Sequence, residues 1–435
     1  MALFANKTTE GSLFGSEYQL PEETLVKTEE EKELHIEEDA VVDGIDFNIL
    51  KVPIEFFEDL TAFINDKDIT DIEYNSGNVW TIDIYNNVIR HDELNYGEVQ
   101  VQKLIERINS SKNSEFNKIS KTLETEAVTT TGESIRIKVL HSEYAQDGTE
   151  LYIRKTPSYA RLSTVEILKN KYATPEELSF LINVIKAHGT VLIAGEPGAG
   201  KTELGKYLSL FIDKKDHVFV IEDTNEWHIK SLRPNLRNTS VLATKDGENN
   251  TRTYADAIKD AVRCNTNWLI FSEIRGDEVV EYFNALATIS GGIGTIHSPN
   301  VKGIVTKIKN MTSDAIERTR LEDEVYLNEI VGVFIQRDLK DMSRHIEQIG
   351  VFYNQHGAKV KGLLFNKSEF LDSTLPSAML KKFERHGISN PFFAKEVKTA
   401  CDNLGIVFEE TDYITPQDNV VNIQSSSSVS KEIRI

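Results

Sequence analysis

The sequence predicts an α/β protein, with a C-terminal domain on a mainly parallel sheet and a smaller α+β domain ahead of it. Three observations predict this. From Thr174 onward strand and helix signals alternate, the pattern of a sheet covered on both faces. A glycine-rich turn at 195–202 joins a buried apolar strand to a helix. Before residue 155, short alternating strands mix with helical runs over about 110 residues, a normal size for a separate unit.

Composition sets the frame. The chain has 435 residues, too many for one ordinary core, and its 40% hydrophobic and 27% charged residues describe a globular protein. No run of about 18 apolar residues is present, so no bilayer-spanning helix is expected. The start, residues 1–18, lacks the basic and apolar regions of a signal peptide, so cytoplasmic residence is expected. Cys264 and Cys401 are too few for a disulfide framework or a four-thiolate zinc site. The net charge of −20 disfavours direct nucleic-acid binding, because such a surface repels phosphates unless a local basic patch overrides it.

Residues 1–44 read as an acidic, disordered tail, since the charges between Glu22 and Asp39 are mostly glutamates with few large apolar groups to bury. The α+β domain then occupies 45–155. Residues 53–64 space their apolar groups as a helix does. Ile69–Asn75 and Asn78–Tyr85 alternate as strands about a Ser76-Gly77 turn. Helical stretches are expected near 97–108 and 114–122, and strands around 125–130, Ser134–Leu140 and Glu150–Arg154. Residues 156–173, with Pro157 and no clean periodicity, read as a linker.

The second domain covers 174–410. Thr174 can cap a helix, Pro175 suits its first turn and Glu177 can complete a capping box, with Gly189 as the stop. Strands follow at Thr190–Ala194, Val218–Ile221, Trp268–Phe271 and Ile293–Ile296. Helices are expected from Lys201, around Tyr254–Arg263 and from Glu278. Segments near 329–337, 344–354 and 359–366 resemble an antiparallel meander, and a helical stretch near 373–404 closes the domain. Residues 411–435 read as a flexible tail.

Gly195-Glu196-Pro197-Gly198-Ala199-Gly200-Lys201-Thr202 fits G-x-x-x-x-G-K-[ST] between a strand and a helix. Glycines let the backbone curl so that amides converge on phosphate oxygens at a helix N-terminus. Lys201 should reach the β- and γ-phosphates, and Thr202 should offer its hydroxyl to Mg²⁺. Two acidic strand ends supply the remaining chemistry: Glu222-Asp223 after Val218–Ile221, and Ser272-Glu273 after Trp268–Phe271. With Ser where an Asp usually precedes the Glu, Mg²⁺ is expected on Thr202, helped by Glu273 or the Glu222-Asp223 pair. Glu273 is the first expectation for polarising the attacking water, and Glu222 is its rival. His297, ending another short strand, is placed to sense the γ-phosphate.

Together these motifs resemble the secretion ATPase superfamily, the motors of type II and type IV secretion and of type IV and Tad pili. Its Walker A loop is matched by 195–202, its aspartate box by 221–226, its Walker B by 272–276 and its histidine box by 294–297. Residues 69–75, 132–137 and 151–155 are similar to its N-terminal signatures, so the likeness spans roughly 45–370. The resemblance implies a RecA-like P-loop NTPase domain that uses ATP and Mg²⁺. It also implies Arg136 and Arg154 closing on the γ-phosphate, a homo-hexameric ring, and inner-membrane components of a secretion or pilus machine as partners. A cytoplasmic protein peripherally associated with the membrane follows.

The sequence departs from the family at Trp227, where a small aliphatic residue is commoner, and at Thr288-Ile289. It also lacks the zinc-binding cysteine quartet and the retraction motif of some branches. What remains looks most like the type IV secretion, conjugation-like, and Tad-pilus branch. The resemblance implies a hexameric ATPase powering a type IV secretion machine. The alternative is a pilus assembly ATPase, and a helicase or DNA-packaging motor stands further off.

Overall fold

In Ile69–Asn75 the residues Ile72 and Tyr74 point into a core while Asp71 and Glu73 face the other way, the period-2 pattern of a half-buried strand. The computed structural model describes residues 50–112, 121–245, 252–338, 340–411 and 413. The expected tail at 1–44, most of the helical stretch at 114–122 and nearly all of 411–435 lie outside them. The strand pairs with Asn78–Asp83 across Ser76 and Gly77, whose φ angles of 50° and 77° make the tight turn that matches strand twist. This first sheet has seven strands. Their order is Leu50–Val52, Thr122–Thr129, Ser134–Leu140, Glu150–Lys155, Ile69–Asn75, Asn78–Asp83 and Val88–Arg90, antiparallel except at the first pair. Helix Glu98–Lys112 covers one face through Val101, Leu104, Ile105 and Ile108. The helical spacing at 53–64 resolves into a 3-10 segment, Ile54–Leu60, and a short α-helix, Thr61–Asn65. Thr122, expected at a helix end, opens a strand instead.

The second sheet has ten strands. Seven run parallel, in the order Arg252–Thr253, Arg237–Thr244, His217–Glu222, Trp268–Ile274, Gly291–Ile296, Thr190–Gly195 and Val331–Arg337. Arg344–Gln355, Ala358–Asn366 and Glu369–Phe370 then continue it antiparallel, as the meander signal predicted. Alternate residues of each central strand enter opposite cores. Val191, Val218 and Ile270 join a layer with helices Pro175–Lys186, Lys201–Ser209, Ser377–Arg385 and Lys395–Leu404. Leu192, Phe219 and Phe271 join helices Tyr254–Arg263, Val279–Leu286, Val301–Lys309 and Ala315–Leu327. Burial on both faces explains why these strands read as unbroken apolar runs.

The capping box at Thr174 and Glu177 forms as its spacing requires, with both reciprocal hydrogen bonds present. The segment expected as a linker, 156–173, carries structure of its own. Ser163 and Glu166 make a second capping box that starts helix Thr164–Lys169, and Ile167 and Leu168 are buried in the sheet's core. Its apolar residues are too few for a period to register, yet enough to anchor one turn and a half. Among the described residues no helix is long and apolar enough to cross a membrane.

Candidate active site

Four neighbouring parallel strands end at one edge of the second sheet. At or within one residue of their ends, in order, stand Glu222, Glu273, His297 and Gly195. Parallel neighbours lie about 4.8 Å apart, so these four positions fall within roughly 15 Å. A register irregularity between Phe271 and Ile274 falls on Ser272-Glu273 and re-aims the glutamate at the strand end.

Gly198 and Gly200 hold φ values of 73° and 89°, a left-handed conformation that a side chain would strain. A Cβ on Gly195 would sit 3.0 Å from the Ile335 carbonyl oxygen. The loop therefore curls tightly and hands the chain to helix Lys201–Ser209, whose N-terminus has no side-chain cap. Its free first-turn amides and partial positive charge make an anion cradle. Lys201 is buried, and its Nζ donates to the carbonyls of Gly195 and Glu196, each at 3.1 Å. Burial draws its ammonium down from the ordinary lysine range, and Glu273 and Glu226 oppose that shift.

From Lys201 a chain of polar contacts runs across the strand ends. His297 Nδ1 lies 3.4 Å from Lys201 Nζ and 3.2 Å from the Gly195 carbonyl oxygen, and its Nε2 is 2.8 Å from Glu273 Oε1. The other Glu273 oxygen accepts from Arg275 at 2.6 Å, and Arg275 reaches Asp223 at 2.9 Å with its second amino group. Since the Glu273 carboxylate can only accept, His297 Nε2 carries a proton. Nδ1 then either accepts from Lys201 or, if it also carries a proton, donates to the Gly195 carbonyl. Burial alone would raise the Glu273 carboxyl, but Arg275, His297 and Lys201 together hold it below its ordinary value. Glu273 is thus an ionised carboxylate fixed at both oxygens beside the phosphate loop. Arg275 falls inside the 272–276 motif, but its place between Glu273 and Asp223 is set by the fold.

The aspartate box departs from expectation. Glu222, the rival water-polarising carboxylate, is 1% exposed, and its Oε2 accepts from the amides of Glu226 and Trp227. Burial pushes this carboxyl up to about 8. It holds the loop from inside through these two amides. Asp223, expected near the metal, is engaged by Arg275, whereas the carboxylate beside Thr202 is that of Glu226. Thr202 Oγ1 donates to Glu226 Oε2 at 3.2 Å. Burial raises the Glu226 carboxyl. A hydroxyl and a carboxylate in reach of one another form an oxygen-only donor pair. That suits Mg²⁺, which fills its other positions with water and phosphate oxygens. Trp227 is fully buried, and Gly205 of the helix below it makes the room: a Cβ there would lie 2.3 Å from the indole ring.

Arg136 and Arg154 sit opposite each other on adjacent strands of the first sheet, within a row Asp71, Arg154, Arg136, Glu126 across four strands. Arg154 pairs with Asp71 at 2.7 Å and Arg136 with Glu124. The row abuts the aspartate box, because Glu126 Oε1 accepts from the Asn225 amide at 3.0 Å and Arg154 offsets the rise of Glu226. A second tie is Arg344, which donates to the Gly198 carbonyl at 3.2 Å and to the carbonyl of Ile84. Neither Glu126 nor Arg344 carries a sequence signal, since each matters only through contact with distant backbone.

Residues 103–369, more than half of the chain, match the model of the family described as "Type II/IV secretion system protein". An uncharacterised protein of Bacillus anthracis is 28% identical over 311 residues, covering 70% of this chain and 67% of that protein. The "Type IV secretion system protein VirB11" of Brucella suis is 25% identical over 214 residues, covering 48% of this chain and 59% of the relative. An uncharacterised protein of Methanocaldococcus jannaschii is 29% identical over 143 residues, covering 33% and 52%. The chain thus spans between about half and two thirds of the length of these curated relatives. Among solved structures, the Legionella pneumophila ATPase DotB is similar with a TM-score of 0.53 at 14% identity, covering 81% of this chain and 88% of that one. The pilus retraction motor PilT with bound ADP gives 0.50 at 16%, covering 76% and 86%. These two likenesses show the fold.

Proposed function

This chain belongs to the type II/IV secretion system protein family, and from that premise we propose that it is a motor ATPase that hydrolyses ATP to power a type IV secretion machine. The observation that carries the reading is the ionised Glu273, held by Arg275 and His297 beside Lys201 and the phosphate loop. The amides of 198–201 bind the phosphates, and Lys201 exchanges its carbonyl partners for β- and γ-phosphate oxygens. Thr202 and Glu226 would hold Mg²⁺, which when bound neutralises phosphate charge. Glu273 orients water and accepts its proton as the water oxygen attacks the γ-phosphorus, the bond to the β–γ bridging oxygen breaks, and ADP leaves. His297 reads the γ-phosphate through its contact with Lys201. Arg136 and Arg154 trade their carboxylate partners for the developing charge on the transferring group.

The Brucella VirB11 relative supports the type IV secretion branch. A homo-hexameric ring docked on inner-membrane components completes the proposal. Phosphate release from Mg-ATP tests it: the wild-type chain turns over, and Lys201→Ala abolishes turnover. Equal rates in the two proteins would remove the assignment. Mass in solution with Mg-ATP tests the ring, for which a persistent monomer is the contrary result.

A further inference from the structure

We propose that Glu126 is a positioning residue that fastens the aspartate-box loop to the arginine row of the first sheet, so that the two respond to nucleotide as one body. The inference rests on the ATPase reading above and adds to it a residue that no motif identifies.

Glu126 lies on strand Thr122–Thr129 directly opposite Arg136, which lies opposite Arg154. Directly opposed residues share a face of the sheet, so all three project toward the aspartate box. There Glu126 Oε1 accepts from the Asn225 amide at 3.0 Å, spanning 99 residues of sequence. Asn225 is flanked by Thr224 and by Glu226, the carboxylate beside Thr202. Glu222 holds the same loop from within, through the next two amides. Three consecutive amides, 225 to 227, are therefore spoken for by two carboxylates, one from each sheet.

The loop cannot shift Glu226 relative to Thr202 without moving Asn225 against Glu126, nor can the arginine row advance on the nucleotide without carrying that loop. Charge reinforces the tie. Burial raises the Glu126 carboxyl, the Asn225 amide and Arg136 oppose that rise, and Asp223 and Glu226 add to it. Drawing Arg136 toward a phosphate would weaken the hold on Glu126, and the loop would feel it.

Hydrogen exchange on the full chain, with and without Mg-ATP, tests this alongside steady-state kinetics. In the wild type the Asn225 amide is protected, and Mg-ATP slows exchange at 195–202, 222–227 and strands 134–140 and 150–155 together. Glu126→Ala exchanges Asn225 about tenfold faster, since a hydrogen bond to a charged acceptor is lost. It keeps Mg-ATP protection at 195–202 but loses it in the two strands, and kcat and kcat/KM fall together about tenfold, because the arginines meet charge that develops only in the transition state. Glu126→Gln, whose carbonyl oxygen still accepts, stays within about twofold of wild type. Glu126→Val keeps strand propensity without an acceptor and repeats the alanine result should that variant fold poorly. Strand protection by Mg-ATP that persists in both acceptor-free variants would overturn the proposal. Absence of Mg-ATP protection at 195–202 in the wild type would instead strike the ATPase reading, and this inference with it.

Discussion

Gly205→Ala adds one methyl group, and the structure fixes where it goes. Its Cβ would stand 2.3, 3.0 and 3.2 Å from three atoms of the Trp227 ring. That indole is fully buried in a loop whose backbone Glu222 pins, so it cannot step aside. Overpacking of this kind costs about 3 kcal/mol, the upper part of the usual range. Replacing a helical glycine by alanine returns about 1 kcal/mol. The expected net loss is about 2 kcal/mol. Trp227→Leu alone should cost about 3 kcal/mol through the space it leaves. In the double variant the alanine methyl occupies part of that space, so its loss should fall about 2 kcal/mol short of the sum. Urea unfolding with an unchanged slope measures all three. Lys201 and Thr202 share the helix of Gly205, so Mg-ATP affinity should drop in the Gly205→Ala variant and partly recover in the double. Strict additivity, or an alanine variant as stable as wild type, would refute the reasoning.

Arg275→Gln removes the main influence opposing burial at the Glu273 carboxyl and leaves only His297 and Lys201 to hold it down. The acid limb of the kcat profile should move to higher pH; a pH series of phosphate release checks this, and an unmoved limb contradicts it. Glu222 has a folded-state value of about 8 against an ordinary 4.5, so the folded form keeps a proton that the unfolded chain has released. Its stabilising contribution is complete below about 4.5 and is lost as pH rises toward 8, at up to about 1.4 kcal/mol per unit. Glu222→Gln, still an acceptor for both amides, should flatten that slope in urea unfolding measured across this window. Thr174→Ala should cost about 1 kcal/mol through the lost cap, read by the same method.

Much of this fold was legible because local rules and tertiary packing agree. The Ser76-Gly77 hairpin, the Thr174–Glu177 capping box and the two-faced apolar strands each follow from a period or a spacing. Leu50–Val52 and Val88–Arg90 escaped notice because three residues carry no period, and Arg237–Thr244 because its mostly polar, partly exposed residues lack an apolar rhythm. In the site, the strand ends could be ranked from sequence, but the choice among neighbouring carboxylates could not. Glu222, Asp223 and Glu226 lie within five residues, and only the turn around the buried Glu222 decides which of them meets Thr202. Glu126 and Arg344 depend on how two sheets meet, which one-dimensional spacing does not encode. Trp227 looked like a departure from the family until Gly205 showed the space reserved for it.

The most direct test of the account is Mg-ATP binding and phosphate release measured side by side on Glu273→Gln. The amide keeps the shape of the strand end and removes the proton acceptor, so this variant should hold ATP with near wild-type affinity and release phosphate at least about 100-fold more slowly. Wild-type release rates from Glu273→Gln would show that the water is activated elsewhere and contradict the assignment.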